Sequence, residues 1–158
     1  MAVYPPWDLV AAQQIIEQLQ HLDGATLPIL HALQDHFGYV DAAAIPLIAE
    51  ALNLSRADIH GTVSFYHDFR HQLPGRRVVK LCRAEACQAC GCEDLVDHLA
   101  DQHGIAIGST TDDHALTIES VYCLGNCALG PAALVDGVVQ GRVDAARLEQ
   151  LCGLEARP

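Results

Sequence analysis

The chain has 158 residues, 51% of them hydrophobic, which is enough for one ordinary domain or two small ones with buried cores. Nine Lys and Arg against twenty Asp and Glu leave a formal charge of -11, a balance that repels phosphate backbones and anionic lipid and argues against a nucleic-acid partner. The longest stretch without a charged residue, Ser120–Val135, is broken by Gly and Pro and falls short of the roughly 18 apolar residues a membrane span needs. Met1 to Asp8 shows no basic segment leading into an apolar one, so the expectation is a soluble, cytoplasmic protein without a signal peptide.

The first half reads as four short helices. Leu9, Ala12, Ile16 and Leu19 recur at the helical period between Asp8 and Leu22, with Gly24 as the expected stop. Thr26 is the expected cap of a second helix with Leu30, Leu33 and Phe37 on one face, ended by Gly38. Asp41 is the expected cap of a third, carrying Ile45, Ile48, Ala49 and Leu52 and tolerating Pro46 near its first turn. Ser55 and Asp58 make a capping-box start for a fourth, with Ile59, Val63 and Tyr66 on its buried face. His67 and His71 are four apart, but no Glu follows as in H-E-x-x-H and the chain is leaving the helix, so structural roles are expected for them. Residues 1–72 are thus expected to form a helical subdomain.

Leu73-Pro74-Gly75 is a turn signal, and residues 73–158 are expected to form a second subdomain of alternating strand and helix. Arg77 to Cys82 has the branched composition of a strand. A helix with Leu95, Val96 and Leu99 follows, with Glu93 and Asp94 at its start and Gly104 at its end. Leu116 to Tyr122 reads as a second strand. Ala132 to Val135 and Val138 to Gln140 bracket the hairpin signal Asp136-Gly137, and Asp144 starts a last helix with Leu148 and Leu151. The fold class is α+β, a small sheet with helices packed on it after a helical subdomain.

All seven cysteines lie from Cys82 onward, and in a reducing compartment they point to metal or redox chemistry rather than disulfides. Cys82-x4-Cys87 ends the first expected strand and Cys123-x3-Cys127 ends the second, so two loops at one sheet end can bring four thiols together. Four thiolates suit a [2Fe-2S] cluster, in which each iron takes two protein ligands. The small residues Ala84, Ala86, Gly125, Ala128 and Gly130 let backbone N–H groups reach the sulfurs. The spacing leaves alternatives open. Cys82, Cys87 and Cys90 spell the plant-type ferredoxin pattern C-x4-C-x2-C, which would make Cys90 a ligand. A four-cysteine structural zinc site uses the same residues. Cys87-Gln88-Ala89-Cys90 could serve a thiol oxidoreductase, though that leaves Cys82, Cys123 and Cys127 idle. Cys90, Cys92 and Cys152 are expected to be small apolar fillers.

Cys82-x4-Cys87 and Cys123-Leu124-Gly125-Asn126-Cys127-Ala128-Leu129-Gly130-Pro131, preceded by Gly61-Thr62-Val63-Ser64-Phe65-Tyr66, resemble the thioredoxin-like [2Fe-2S] subunit family. This family includes the small flavin-associated subunit of respiratory NADH dehydrogenase and the gamma subunit of NAD-dependent formate dehydrogenase. The loop Cys82-Arg83-Ala84-Glu85-Ala86-Cys87-Gln88-Ala89 looks most like the formate dehydrogenase subunit. The resemblance implies a thioredoxin-like fold in which Cys82, Cys87, Cys123 and Cys127 ligate one [2Fe-2S] cluster. It implies a non-catalytic electron-transfer subunit whose helical half docks on a flavin- and NAD-binding subunit. FMN, NAD and the molybdenum cofactor would reside only on partner subunits, the last on a formate-oxidising one. An equivalent subunit of NADH dehydrogenase or NAD-reducing hydrogenase is the alternative. No G-x-G-x-x-G follows a strand and no Walker loop occurs, so nicotinamide binding by this chain is not expected. Acidic surroundings should favour the oxidised cluster, with Lys80 and Arg83 opposing that trend and N–H donors around Cys127 raising the potential.

Overall fold

The structure, a computed structural model, describes residues 4–154; residues 1–3 and 155–158 of the two expected subdomains, and the first part of the expected leaderless N-terminus, lie outside the described residues. The chain divides into two compact units that meet in sequence between Leu73 and Pro74.

The first unit holds four helices: α1 Leu9–Leu19, α2 Thr26–Phe37, α3 Ala44–Leu52 and α4 Arg56–Phe65. Their apolar faces close on one cluster centred on Ile29, Leu30, Leu33, Phe37, Ile48 and Ile59, each fully buried. Fully burying side chains of this size contributes on the order of 1.5–3 kcal/mol each. The Ser55–Asp58 capping box forms with both hydrogen bonds in place. Three caps differ from expectation. The turn that follows α1 begins at Gln20, and Gly24 (φ 68°) belongs to the approach to α2 rather than ending α1. Thr26 is the first helical residue of α2, not its cap. Asp41 Oδ1 accepts from Ala43 N at 2.8 Å, a turn that precedes α3 instead of capping it directly. Gly38 ends α2 at φ 84°, and a Cβ there would lie 2.6 Å from the Tyr4 ring. Tyr66 is exposed rather than buried, because α4 stops at Phe65 and the chain turns extended. His67 and His71 lie beyond that end and are exposed.

The second unit holds β1 Arg77–Cys82, α5 Glu85–Ala89, α6 Cys92–His103, β2 Leu116–Val121, β3 Ala133–Val135, β4 Val138–Gln140 and α7 Ala145–Cys152. The strands form one mixed sheet in the order β2-β1-β3-β4. β1 and β2 run parallel with Val79 opposite Ile118, while β3 pairs antiparallel with β1 and with β4. Asp136 and Gly137, at φ 47° and 86°, supply the two left-handed residues that a tight hairpin between β3 and β4 requires. Strand alternation sorts the side chains of β1 between two clusters. Val79 and Leu81 join Ile118, Leu99 and Leu148 in the main core, where α6 and α7 pack on the sheet. Cys82 points the other way, into a smaller cluster with Cys87, Cys92 and Ala132. Gly75 lies so close to β2 that a Cβ would meet the Leu116 backbone at 2.7 Å. The expected α+β architecture is what the chain adopts; the short α5, which contains Cys87, is an addition to it.

Candidate metal centre

Because β1 and β2 are parallel, their carboxyl ends fall at the same edge of the sheet, and Cys82 and Cys123 leave the sheet together. Cys82 is the last residue of β1, held there by its own N–H on Ala132 O at 2.9 Å. Cys87 sits within α5, so the four residues between the first two cysteines are a loop turning directly into helix. Both are 2% exposed. The other two are exposed. Cys123 adopts φ 74°, a left-handed conformation uncommon for a residue with a Cβ, and Gly125 follows at φ 73°. That double reversal brings Cys127, at the head of the 3-10 turn Cys127–Leu129, back to Cys123 with their Sγ atoms 3.8 Å apart.

The four sulfurs interact as a set. Cys82 and Cys87 share a hydrogen bond, and Cys127 lies within electrostatic reach of both. Burial disfavours the Cys82 thiolate, yet N–H groups of Ala84, Cys123 and Leu124 and the Cys87 thiol outweigh it, leaving its pKa below the ordinary thiol value. Burial raises that of Cys87, with Cys82 adding to the shift and the Ala132 N–H opposing it. Cys127 is raised by its hydrogen bond and charge repulsion with Cys123. Such a group cannot ionise fully by itself, and it suits a polycation that would hold all four as thiolates.

Among the described residues, no three of these sulfurs lie within 4.8 Å of one another, so they do not form a compact single-ion cage. They form two pairs, the arrangement two irons sharing bridging sulfides would use. The donors also fit: Gly125 N reaches Cys123 Sγ at 3.4 Å, and the Cys82 sulfur collects three backbone N–H groups. Three of the backbone donors serve Cys82, and at Cys127 its own backbone N–H adds the expected donor. The nearby cations are not free charges either. Arg83 makes a two-pronged pair with Glu93 at 2.9 and 2.7 Å, and Lys80 meets Glu119 at 3.3 Å.

Cys92 and Cys152 are buried as expected, and burial pushes their thiols up to about 11 and about 12. Cys90 departs from expectation: it is exposed, at the end of α5, because the turn into α6 leaves it outside the cluster that holds Cys92. Its Sγ lies 3.4 Å from where a Cβ on Gly130 would be. Sequence reading missed one residue of the site. A Cβ at Gly141 would lie 2.7 Å from Asn126 Nδ2 and 2.8 Å from Leu129 Cβ, so only glycine lets β4 end against the second cysteine loop. No local pattern signals it; the contact joins residues distant in sequence. The Gly130–Pro131 peptide that follows the loop is cis.

A mixed sheet with two helices packed on it, and two cysteine pairs brought to the carboxyl ends of its parallel strands, make an α+β domain of thioredoxin-like type. Residues 12–153 match the thioredoxin-like [2Fe-2S] ferredoxin family, and the chain belongs to it. It is 35% identical over 119 residues to an NADH-quinone oxidoreductase subunit of Pseudomonas aeruginosa, spanning 75% of this chain and 72% of that one. It is 30% identical over 138 residues to the HndA subunit of the NADP-reducing hydrogenase of Solidesulfovibrio fructosivorans, spanning 87% of this chain and 81% of that one. Among solved structures, a chain of an air-oxidised NAD+-reducing [NiFe]-hydrogenase superposes with a TM-score of 0.68 at 30% identity, over 81% of this chain and 22% of that chain. No described helix is long and apolar enough to cross a membrane.

Proposed function

We propose that Cys82, Cys87, Cys123 and Cys127 hold one [2Fe-2S] cluster and that the chain is an electron-transfer subunit of an NAD-linked oxidoreductase complex, of the formate dehydrogenase type. The observation that carries the first part is the convergence of two thiol pairs, split 3.8 Å within the outer pair and not compacted into one cage. The bound cluster supplies a one-electron store exchanging with the flavin of a partner subunit. The residues of this chain hold and tune it. Backbone N–H groups on Cys82 stabilise negative charge at the buried side, and the acidic chain disfavours adding more. Cys123 and Cys127 face outward, with the exposed apolar side chains Tyr122 and Leu129 beside them, which suits a rim where a partner seals the cluster from water. In the helical unit, exposed Phe65 and Tyr66 pack edge to face at 5.1 Å and offer a second apolar patch for the flavin-bearing subunit.

The formate assignment rests on the Cys82-to-Ala89 loop, and the relatives named above support NADH dehydrogenase or hydrogenase complexes as the second reading. Anaerobically purified protein should hold about two irons and two acid-labile sulfides per chain, with a colour bleached by dithionite. Cys127→Ser should abolish this and Cys90→Ser should leave it; the reverse would favour the plant-type ligand set. Stoichiometric zinc without sulfide would turn the cysteines into a structural staple. In the purified complex, a cluster signal that appears with formate, but not with hydrogen, supports the formate reading, and the converse outcome overturns it.

A further inference from the structure

The second unit carries another group of ligating side chains that the cysteine centre does not use. His98 and His103, five residues apart on α6, both direct Nε2 at one oxygen of Glu149 on α7, at 2.9 and 3.0 Å. The three ligand atoms all lie within 4.8 Å of one another. The site is sheltered: the side chains of His98, Glu149 and His103 are 26%, 18% and 6% exposed. His103 lies about 16 Å along α6 from Cys92, which packs against Cys82 and Cys87, by the helical rise per residue.

We propose that His98, His103 and Glu149 form a second metal site, with ligands distinct from the cysteines, that takes one zinc-type divalent ion and clips α7 to α6. Two imidazoles and a carboxylate are the donor types such an ion selects. Bond lengths near 2.0–2.1 Å place neighbouring ligands of a tetrahedral ion roughly 3.3 Å apart. The separations of 2.9 and 3.0 Å are a few tenths short of that and the two nitrogens lie within 4.8 Å of each other, so side-chain rotation is the adjustment the ion requires. Charge balance also fits. The two imidazoles hold the Glu149 carboxyl below the usual range, so it is present as the anion. A neutral imidazole gives up its Nε2 proton and takes one at Nδ1, which leaves Nε2 free to coordinate with no net proton change. Water fills the fourth position, since the group contains three protein ligands. The clip joins positions 46 and 51 residues apart, so it acts on the folded form only.

The test uses anaerobically prepared protein with its cluster in place, so that the ligating thiols are occupied, equilibrated with zinc against a chromophoric chelator. One zinc per chain and a rise in Tm are expected. His98→Gln and Glu149→Gln, the two more accessible ligands, should each weaken zinc binding by about tenfold or more and abolish the Tm rise. The visible spectrum and sulfide content should be unchanged in both. X-ray absorption at the zinc edge of the unaltered protein should show nitrogen and oxygen neighbours near 2.0–2.1 Å. Absence of retained zinc, zinc retention in both variants equal to that of the unaltered protein, or a sulfur shell near 2.3 Å would overturn the proposal; the first two leave the cluster reading untouched, and the third is separated from it by the sulfide content.

Discussion

The two cysteine loops use the same residue type and differ in what fixes the sulfurs. Cys82 and Cys87 are set by regular elements, a strand end and a helix, and are 2% exposed. Cys123 and Cys127 are exposed and are set by an irregular loop with left-handed residues at 123 and 125. The inner pair is thus inseparable from the folding of β1, whereas the outer pair depends on local packing that can fail while the sheet survives.

The sharpest way to break this contrast is to damage each support. Leu81 precedes Cys82 and is fully buried in the main core. Leu81→Ala should cost about 2–5 kcal/mol in denaturant unfolding, with iron content falling in proportion to the folded fraction. Gly141→Ala presses a methyl group onto Asn126 and Leu129 behind the outer loop. It should cost about 1–3 kcal/mol, and iron should be lost more rapidly than the stability change explains, with far-UV circular dichroism retained. If the two variants lost iron and stability in the same ratio, the loops would not be separable.

The same contrast accounts for what the sequence makes legible. Signals contained within a few residues can be read directly: the Ser55–Asp58 box, the Asp136-Gly137 hairpin and the strand Arg77–Cys82 all stand where the pattern puts them. The meeting of the two cysteine loops at one sheet edge is also as expected, and the parallel pairing of β1 with β2 is what produces it. What escapes is either too short for periodicity or dependent on distant contacts. α5 has five residues, little more than one turn. Thr26 and Asp41 carry good capping chemistry, but Thr26 falls one residue after the cap position of α2 and Asp41 two residues before that of α3, a shift the pattern does not resolve. Gly141 matters only because β4 ends beside Leu129, and Cys90 is exposed only because Gly91 turns the chain at φ 87° into α6.

Burial and backbone donors act together on the thiols. Cys152 is enclosed by more of the protein than Cys82 and lacks the backbone donors that serve it, and burial pushes its thiol up to about 12. Its folded value lies above the ordinary 9.0, so between those pH values the unfolded chain sheds a proton that the native state keeps. Stability is therefore fully present below about pH 9 and falls above it, by up to about 1.4 kcal/mol per pH unit from this group. Comparing Cys152→Ala with the parent protein across pH 8–11 should show the variant falling less steeply; parallel curves would mean the thiol is not held neutral by burial.

The smallest expected effect concerns charge beside the inner pair. Arg83 follows Cys82, and Glu93 neutralises it through the two-pronged contact at 2.9 and 2.7 Å. Glu93→Gln keeps the shape and one acceptor but leaves the guanidinium charge uncompensated next to the proposed cluster, which takes up negative charge on reduction. The reduction potential should rise on the order of tens of millivolts in a redox titration, with little change in stability. The hydrogen bond and charge of Arg83 hold the Glu93 carboxyl below its ordinary 4.5. The difference between parent and variant should consequently persist through pH 4.5 and close only as the pH falls through the depressed value, where Glu93 protonates. At the outer loop Cys123 and Cys127 are exposed, as are Tyr122, which precedes Cys123, and Leu129, two residues beyond Cys127. There the potential should respond to whether a partner covers the rim. A Glu93→Gln potential that did not move would place the charge sensitivity of the centre at that rim instead of at the inner loop.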